Sequence, residues 1–244
     1  MSGKPFKKSG FAQGCFTQSA TKKDDLGTLR ILRDGRRFRY AKAGASALAP
    51  GKLSVAAAVG ATVMDEACVS DHAIGDLTFT ETVTGGTAYI ENYFAGGYLQ
   101  LNVGTGLGQQ YKITSSTALT AAGTSITLTL DEPIRVALVT TTTHFTLVQS
   151  PWMATIESAT LACPVGITPI VVTAAYYYWS QTGGPAIALV GANTDAVGKP
   201  LFQSTSVAGA IDGADVASYY PKIATALGTV GVSTEYKPVM LQLD

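Results

Sequence analysis

The chain has 244 residues, enough for one or two domains with a full-sized core. Apolar residues make up 46% but charged residues only 14%, and the sequence counts 26 Gly, 31 Thr and 16 Ser. That composition excludes a coiled coil, which needs charged heptads, and a disordered chain, which needs high charge and little apolar content. A mean hydropathy of +0.22 with so few charges implies surface that a partner covers. The net charge is zero, yet residues 1–42 hold eleven of the 17 basic residues and three of the 17 acidic ones. This surplus of eight, balanced by the rest of the chain, predicts a basic segment that meets something acidic.

Residues 1–28 are Lys/Ser/Gly/Gln-rich without a sustained period, and read as an extended basic arm carrying Lys4, Lys7, Lys8, Lys22 and Lys23. The start MSGKPFKKSGF lacks the apolar run of a signal peptide. Leu29–Ile31 and Arg37–Tyr40 flank Asp34-Gly35, a hairpin turn signal, and form a strand pair rich in arginine: Arg30, Arg33, Arg36, Arg37 and Arg39. From Ala41 to Cys68 the chain turns Ala-rich with Gly and Pro breaks, which predicts short helical turns or a linker, so 29–76 reads as hairpin plus linking segment. The acidic group Asp65, Glu66, Asp71 and Asp76 closes it.

From Leu77 the period is two: Leu77, Phe79 and Val83 alternate with Thr78, Thr80, Thr82 and Thr84. Further strands are predicted at 88–94, Tyr98–Val103, Gln110–Ile113, Ser125–Leu130, Val136–Thr140 and His144–Val148, with turn signals between them. The spacing points to a sandwich or barrel over 77–157. A second β-rich unit over 158–244 holds strand candidates at 170–181, 187–190, 201–202 and 207–211. A short helix is predicted at 220–227 and a closing strand at 236–243, begun at an edge by Pro238. The charge-free run 161–179 has the length of a membrane span, but Pro164, Gly166, Pro169 and three consecutive tyrosines argue against one. The expected class is therefore mainly β: small antiparallel sandwich or barrel units with an N-terminal arm and short Ala-rich helical segments.

The chemical motifs are weak. Gly104-Thr-Gly106-Leu-Gly108 looks like a dinucleotide fingerprint but precedes a strand, where the fingerprint needs a helix N-terminus. Gly51-Lys52 and Gly198-Lys199 lack the glycine spacing and the Ser/Thr of a phosphate loop. His72 near Asp71 and Asp76 is one imidazole without a second at ligand spacing, and reads as a surface residue; His144 reads as a strand residue. Asp131, Glu132 and Glu157 read as solvated turn carboxylates rather than a glycosidase pair. Cys15, Cys68 and Cys163 are scattered, signal neither zinc nor a disulfide framework, and suit a reducing compartment. On a strand, Tyr177 and Trp179 share one face and Tyr176 and Tyr178 the other. One face fills a core, and Tyr176 and Tyr178 are the candidates for an oligomer interface. No cofactor, metal or catalytic residue is predicted.

The stretches GTLRILRDGRRFRYAKAGASALAPGKL, GLGQQYKITSS, ITLTLDEPI, TLVQSPW and YYYWSQTGGPAIALVGAN through TEYKPVMLQLD resemble the capsid decoration, or cement, proteins of tailed bacteriophages. The resemblance covers most of 28–244 and implies a non-enzymatic virion protein made in the bacterial host cytoplasm. Such a protein would sit on the outer shell as a homotrimer, across neighbouring copies of the major capsid protein, and resist the pressure of packaged DNA. The expected contact residues are Lys4, Lys7, Lys8, Lys22, Lys23, Arg30, Arg33, Arg36, Arg37 and Arg39, because a cationic arm steers the encounter with an acidic shell. A tail or head-fibre component adhering to a host surface is the alternative, and a nucleic-acid-binding role for the arm is a third. Neither a membrane nor a small-molecule substrate is expected.

Overall fold

A computed structural model of the chain describes residues 10–191, 196–213, 221–228 and 234–244. Among the described residues strand accounts for 40% and helix for 1%, in two antiparallel sheets. The first strands are β1 (Leu29–Ile31), β2 (Arg37–Lys42) and β3 (Leu53–Val55). They are followed by β4 (Glu66–Ala67), β5 (Thr78–Thr82), β6 (Tyr98–Val103), β7 (Gln110–Ser116), β8 (Ser125–Leu130) and β9 (His144–Val148). The remainder are β10 (Pro164–Ile167), β11 (Tyr177–Leu189), β12 (Pro200–Gln203), β13 (Ile211–Gly213), β14 (Ala224–Ala226) and β15 (Tyr236–Gln242). The chain divides into two compact units: residues 58–150 form one, and residues 1–57 with 151–244 form the other.

The inner unit, 58–150, is a six-stranded sheet in the order β4-β9-β6-β7-β8-β5. Its threonines alternate with apolar residues, so Phe79, Leu99, Tyr111, Ile113, Ile126, Leu128, Phe145 and Leu147 all fall on one face and bury completely. The sheet curls until its two edges are joined by carboxylates instead of a backbone ladder. Glu81 on β5 accepts the Val69 N–H (2.8 Å) and the Ser70 N–H (3.1 Å), and Glu66 on β4 accepts the Thr84 N–H (3.1 Å) and hydroxyl (2.9 Å). The glycine loop 104–108 closes over residues 142–143. A Cβ at Gly104 (φ 75°) would stand 1.9 Å from the Thr142 carbonyl oxygen, so only glycine fits.

The outer unit is built on β11. This 13-residue strand pairs with β2 over Tyr177–Gly183 and with β15 over Gly183–Leu189, and touches β10 at Gln181. The sheet continues through β14, β12 and β13. A bulge at Gln181/Gly183 lets one strand serve both neighbours, which is why Gly183-Gly184-Pro185 lies within a strand where the sequence predicts a break.

Several other expectations change. Ala41–Cys68 forms no α-helix: it holds the end of β2, β3, β4 and a single 3-10 turn at Ala61–Val63. Gly44, Pro50, Gly51 and Gly60 leave no uninterrupted stretch near the ~12 residues an isolated helix needs. The described part of the stretch expected as a helix at 220–227 is β14 instead. Residues 88–94 and 136–140 supply only single bridges, Tyr89 to Leu119 and Leu138 to His72, because Asn92 (φ 60°) and Thr141 (φ 62°) turn the chain. Pro238 lies inside the sheet between β11 and β14. Its carbonyl accepts the Leu227 N–H at 3.1 Å just past the last β14 pair, so its missing donor falls where that ladder ends. The boundaries also differ from a 29–76, 77–157, 158–244 division, since hairpin 29–42 joins the sheet of the C-terminal half through β2–β11.

Candidate functional site

Residues 10–28 form no ladder, as expected of an arm, but they are fastened to their own sheet. Gln13 is the hub. Its amide donates to the carbonyls of Thr17 (2.8 Å) and Tyr177 (3.0 Å), and its Oε1 accepts the Tyr40 hydroxyl (2.7 Å). Its main-chain oxygen accepts Arg30 Nη1 (2.8 Å) and the Trp179 indole N–H (3.2 Å). Phe11 stands edge-on to Trp179 at 5.2 Å, and Ser19 bridges to Tyr177 through the backbone. Phe38, Tyr40, Cys15 and Trp179 make the buried cluster beneath this strap. Burial pushes the Tyr40 phenol up to about 12 against the opposing Lys23 N–H, and it raises the Cys15 thiol against the pull of Arg30 and Arg36.

The predicted contact cations therefore divide. Lys4, Lys7 and Lys8 lie outside the described residues. Arg30 is spent on Gln13 and lies over the Phe11 ring at 4.7 Å. Arg39 makes a bidentate pair with Asp244 (2.9 and 3.0 Å) and a bond to the Gly27 carbonyl, and Arg37 binds the Asp244 main-chain oxygen. Arg36 pairs with Asp34 (2.7 Å), and Lys22 with Asp25 (3.0 Å). Lys23 and Arg33 are exposed and, among the described residues, in no ion pair. Burial alone would raise the Asp244 carboxyl, but bonds from Arg39 and Thr182 and the charges of Arg39 and Arg37 outweigh it and hold the group low.

Tyr178 is not available to an oligomer interface. It is fully buried, and its hydroxyl shares hydrogen bonds with Thr155 Oγ1 (2.9 Å) and Ser54 Oγ (3.2 Å). Tyr176 is half-buried against the same cluster, with Leu48 and Val172, and keeps an accessible side. The two tyrosines do share a face; that face is an inner one, because Ser54, Thr155 and the Leu48–Val172 cluster meet Tyr178 there.

His72 is also corrected. It is buried in the inner unit, stacked on Phe79 at 4.3 Å, with Nε2 2.9 Å from Glu81 Oε1. Cys68 is buried alongside, and burial first, then the Glu81 charge, push its thiol up to about 12. Asp71 and Asp76 do not join this cluster: they accept the backbone N–H groups of Thr140 (2.7 Å) and Ala73 (2.8 Å). Glu157 pairs with Lys52 (2.9 Å), and Glu132 with Arg135 (2.9 Å). Among the described residues no group of three or more His, Cys, Asp or Glu could hold a metal. None of the described helices is long and apolar enough to cross a membrane.

Two surfaces escaped the sequence reading. The outer unit carries a groove of about 650 Å3 walled by Phe16, Arg36, Pro50, Gly51, Ile187 and Tyr236, among others. It joins six segments far apart in sequence, so no local pattern announces it. The inner unit exposes Met64, Val69, Ile74, Leu77, Val103 and Leu107. Charge also sorts by unit: residues 58–150 hold two basic and eight acidic residues, against 15 and nine in the outer unit. A scan of protein-family models, a search of curated proteins and a search of solved structures each found no match to the chain.

Proposed function

We propose that the protein is a non-enzymatic virion structural protein that binds the outer surface of a bacteriophage capsid across neighbouring capsomers, associates with copies of itself and stabilises the shell. The observation that carries this reading is the surface of the inner unit. Ile74 and Leu107 are each 67% exposed and Val69 is 56% exposed, on a unit with a surplus of six acidic charges. Large aliphatic side chains left in water by a folded β unit are the mark of a surface a partner covers. The anchored arm adds rigidity. Arg30 and Arg39 fasten that arm, Arg36 pairs with Asp34 and Arg37 with Asp244, so among the described contact cations those left for a shell are Lys23 and Arg33.

Exposed ion pairs contribute only about 0.2–1 kcal/mol each, so charge steers the encounter while apolar area holds the complex. Repetition over many copies then makes weak single contacts slow to release. The test is quantitative mass spectrometry and cryo-electron microscopy of intact particles. Copies spread over the shell in numbers comparable to the major capsid protein support decoration. Copies confined to one vertex would transfer the protein to the tail or head-fibre role, and its absence from particles would end both readings.

A further inference from the structure

The groove of the outer unit and the acidic loop of the inner unit are complementary in chemistry. The groove is preformed: the Tyr236 ring lies so close to Gly51 (φ 72°) that a Cβ there would stand 2.6 Å from it. Its wall offers apolar surface to solvent, with Ile187 58% and Tyr236 44% exposed. Arg36 of the hairpin tip 33–37 lines the groove; it is paired with Asp34 and Arg37 with Asp244, which leaves Arg33 as the cation of the tip in no ion pair among the described residues. Lys52 and Lys237 are likewise paired, with Glu157 and Glu235, so the unpaired positive charge of this region is at the hairpin end, on Arg33.

The occupant such a socket selects is an aliphatic projection flanked by carboxylates. Residues 71–77 of the inner unit, DHAIGDL, are that projection. Ile74 and Leu77 are 67% and 49% exposed, while Asp71 and Asp76 accept backbone N–H groups and so are held in place beside them. Leu107 is as exposed as Ile74 but sits in GTGLGQQ, which has no acid to meet the arginines. We infer that loop 71–77 of one copy docks in the groove of a second copy, with Ile74 and Leu77 against Ile187, Phe16 and Tyr236, and Asp71 and Asp76 facing the Arg33–Arg37 tip. Different patches meet, so the contact is heterologous, and its repetition makes a closed ring or an open chain rather than a two-fold dimer. The inference deepens the self-association half of the proposed function and does not depend on the capsid half.

Light scattering behind size-exclusion chromatography tests it on the full chain. Wild-type protein forms oligomers. Ile187→Asp spoils the socket and Ile74→Lys spoils the plug, and each weakens self-association by about 100-fold, leaving monomers. Both side chains are exposed, so circular dichroism and melting temperature stay at wild-type values. Mixed in equal amounts, the two variants give a one-to-one dimer, because each mixture retains one intact socket facing one intact plug. Three results overturn the inference: a wild-type chain that is monomeric at tens of micromolar, oligomers that persist in both variants, and a mixture that stays monomeric. Persistent oligomers would leave self-association standing through another surface, so failure of this contact is separable from failure of the broader reading.

Discussion

The two units solve the same problem, closing a β-sheet over a core, with opposite chemistry. The outer unit closes with aromatic rings and cations: Phe11, Tyr40 and Trp179 stack under a strap whose polar hub is Gln13, and Arg30 and Arg39 lie over Phe11 and Trp152. The inner unit has aromatic rings in its core as well, but it closes its seam with carboxylates, Glu81 and Glu66 standing in for strand carbonyls. The difference teaches where charge is structural. Much of the positive charge near the N-terminus is consumed by internal bonds, and two of the eight acids of the inner unit hold its edges together. Neither set is simply a docking surface.

Variants that strike one unit and spare the other break this comparison open. Thiol labelling mapped by mass spectrometry reads them separately, since Cys15 is buried in one and Cys68 in the other, while Cys163 is exposed. Trp179→Ala has the largest effect: it leaves a cavity under the strap and costs about 3–5 kcal/mol, unmasking Cys15 at lower denaturant with Cys68 unchanged. Glu81→Ala strands the Val69 and Ser70 N–H groups and costs about 3 kcal/mol, with the reverse labelling pattern, and Glu81→Gln costs less because one acceptor oxygen survives.

Tyr178→Phe removes one buried hydroxyl and costs about 1 kcal/mol in the outer unit, read by urea titration. The Asp244 carboxyl is held low in the folded state, so its contribution is complete above about pH 4 and drains as pH falls through the folded value. Asp244→Asn flattens that acid limb of the stability curve without shifting Cys68 exposure. Removing residues 1–28 takes Gln13 and Phe11 from Trp179 and collapses the outer unit alone, read as Cys15 labelling with Cys68 still protected.

Much of the architecture was legible because period and turn chemistry are local. Leu29–Ile31, Ser125–Leu130 and His144–Val148 are strands at the predicted bounds, and the hairpin turns at Asp34-Gly35. What escaped depends on distant partners. Nothing near Gly183-Gly184-Pro185 says that β2 and β15 will hold one strand straight through it. The fastening of the arm hangs on Gln13, whose partners lie up to 166 residues away. Glu81 did leave a trace: in TFTET it shares a parity with Phe79, the buried face, and a carboxylate there asks for donors inside. The same parity argument placed Tyr176 and Tyr178 on one face correctly but could not say that the face was already covered.

The outer unit is interrupted by the inner one, and this sets an order of events on the ribosome. Lys42 ends β2, and its partner Tyr177 emerges 135 residues later. At roughly 5–20 residues per second that is a wait of about 7–27 s. During that time Phe38 and Tyr40 have no sheet to enter, while the inner unit between them can already fold. Until Tyr177 arrives, an acidic body able to fold is tethered to an aromatic segment whose sheet partners have not been made, the stage at which exposed apolar surface most invites misassembly.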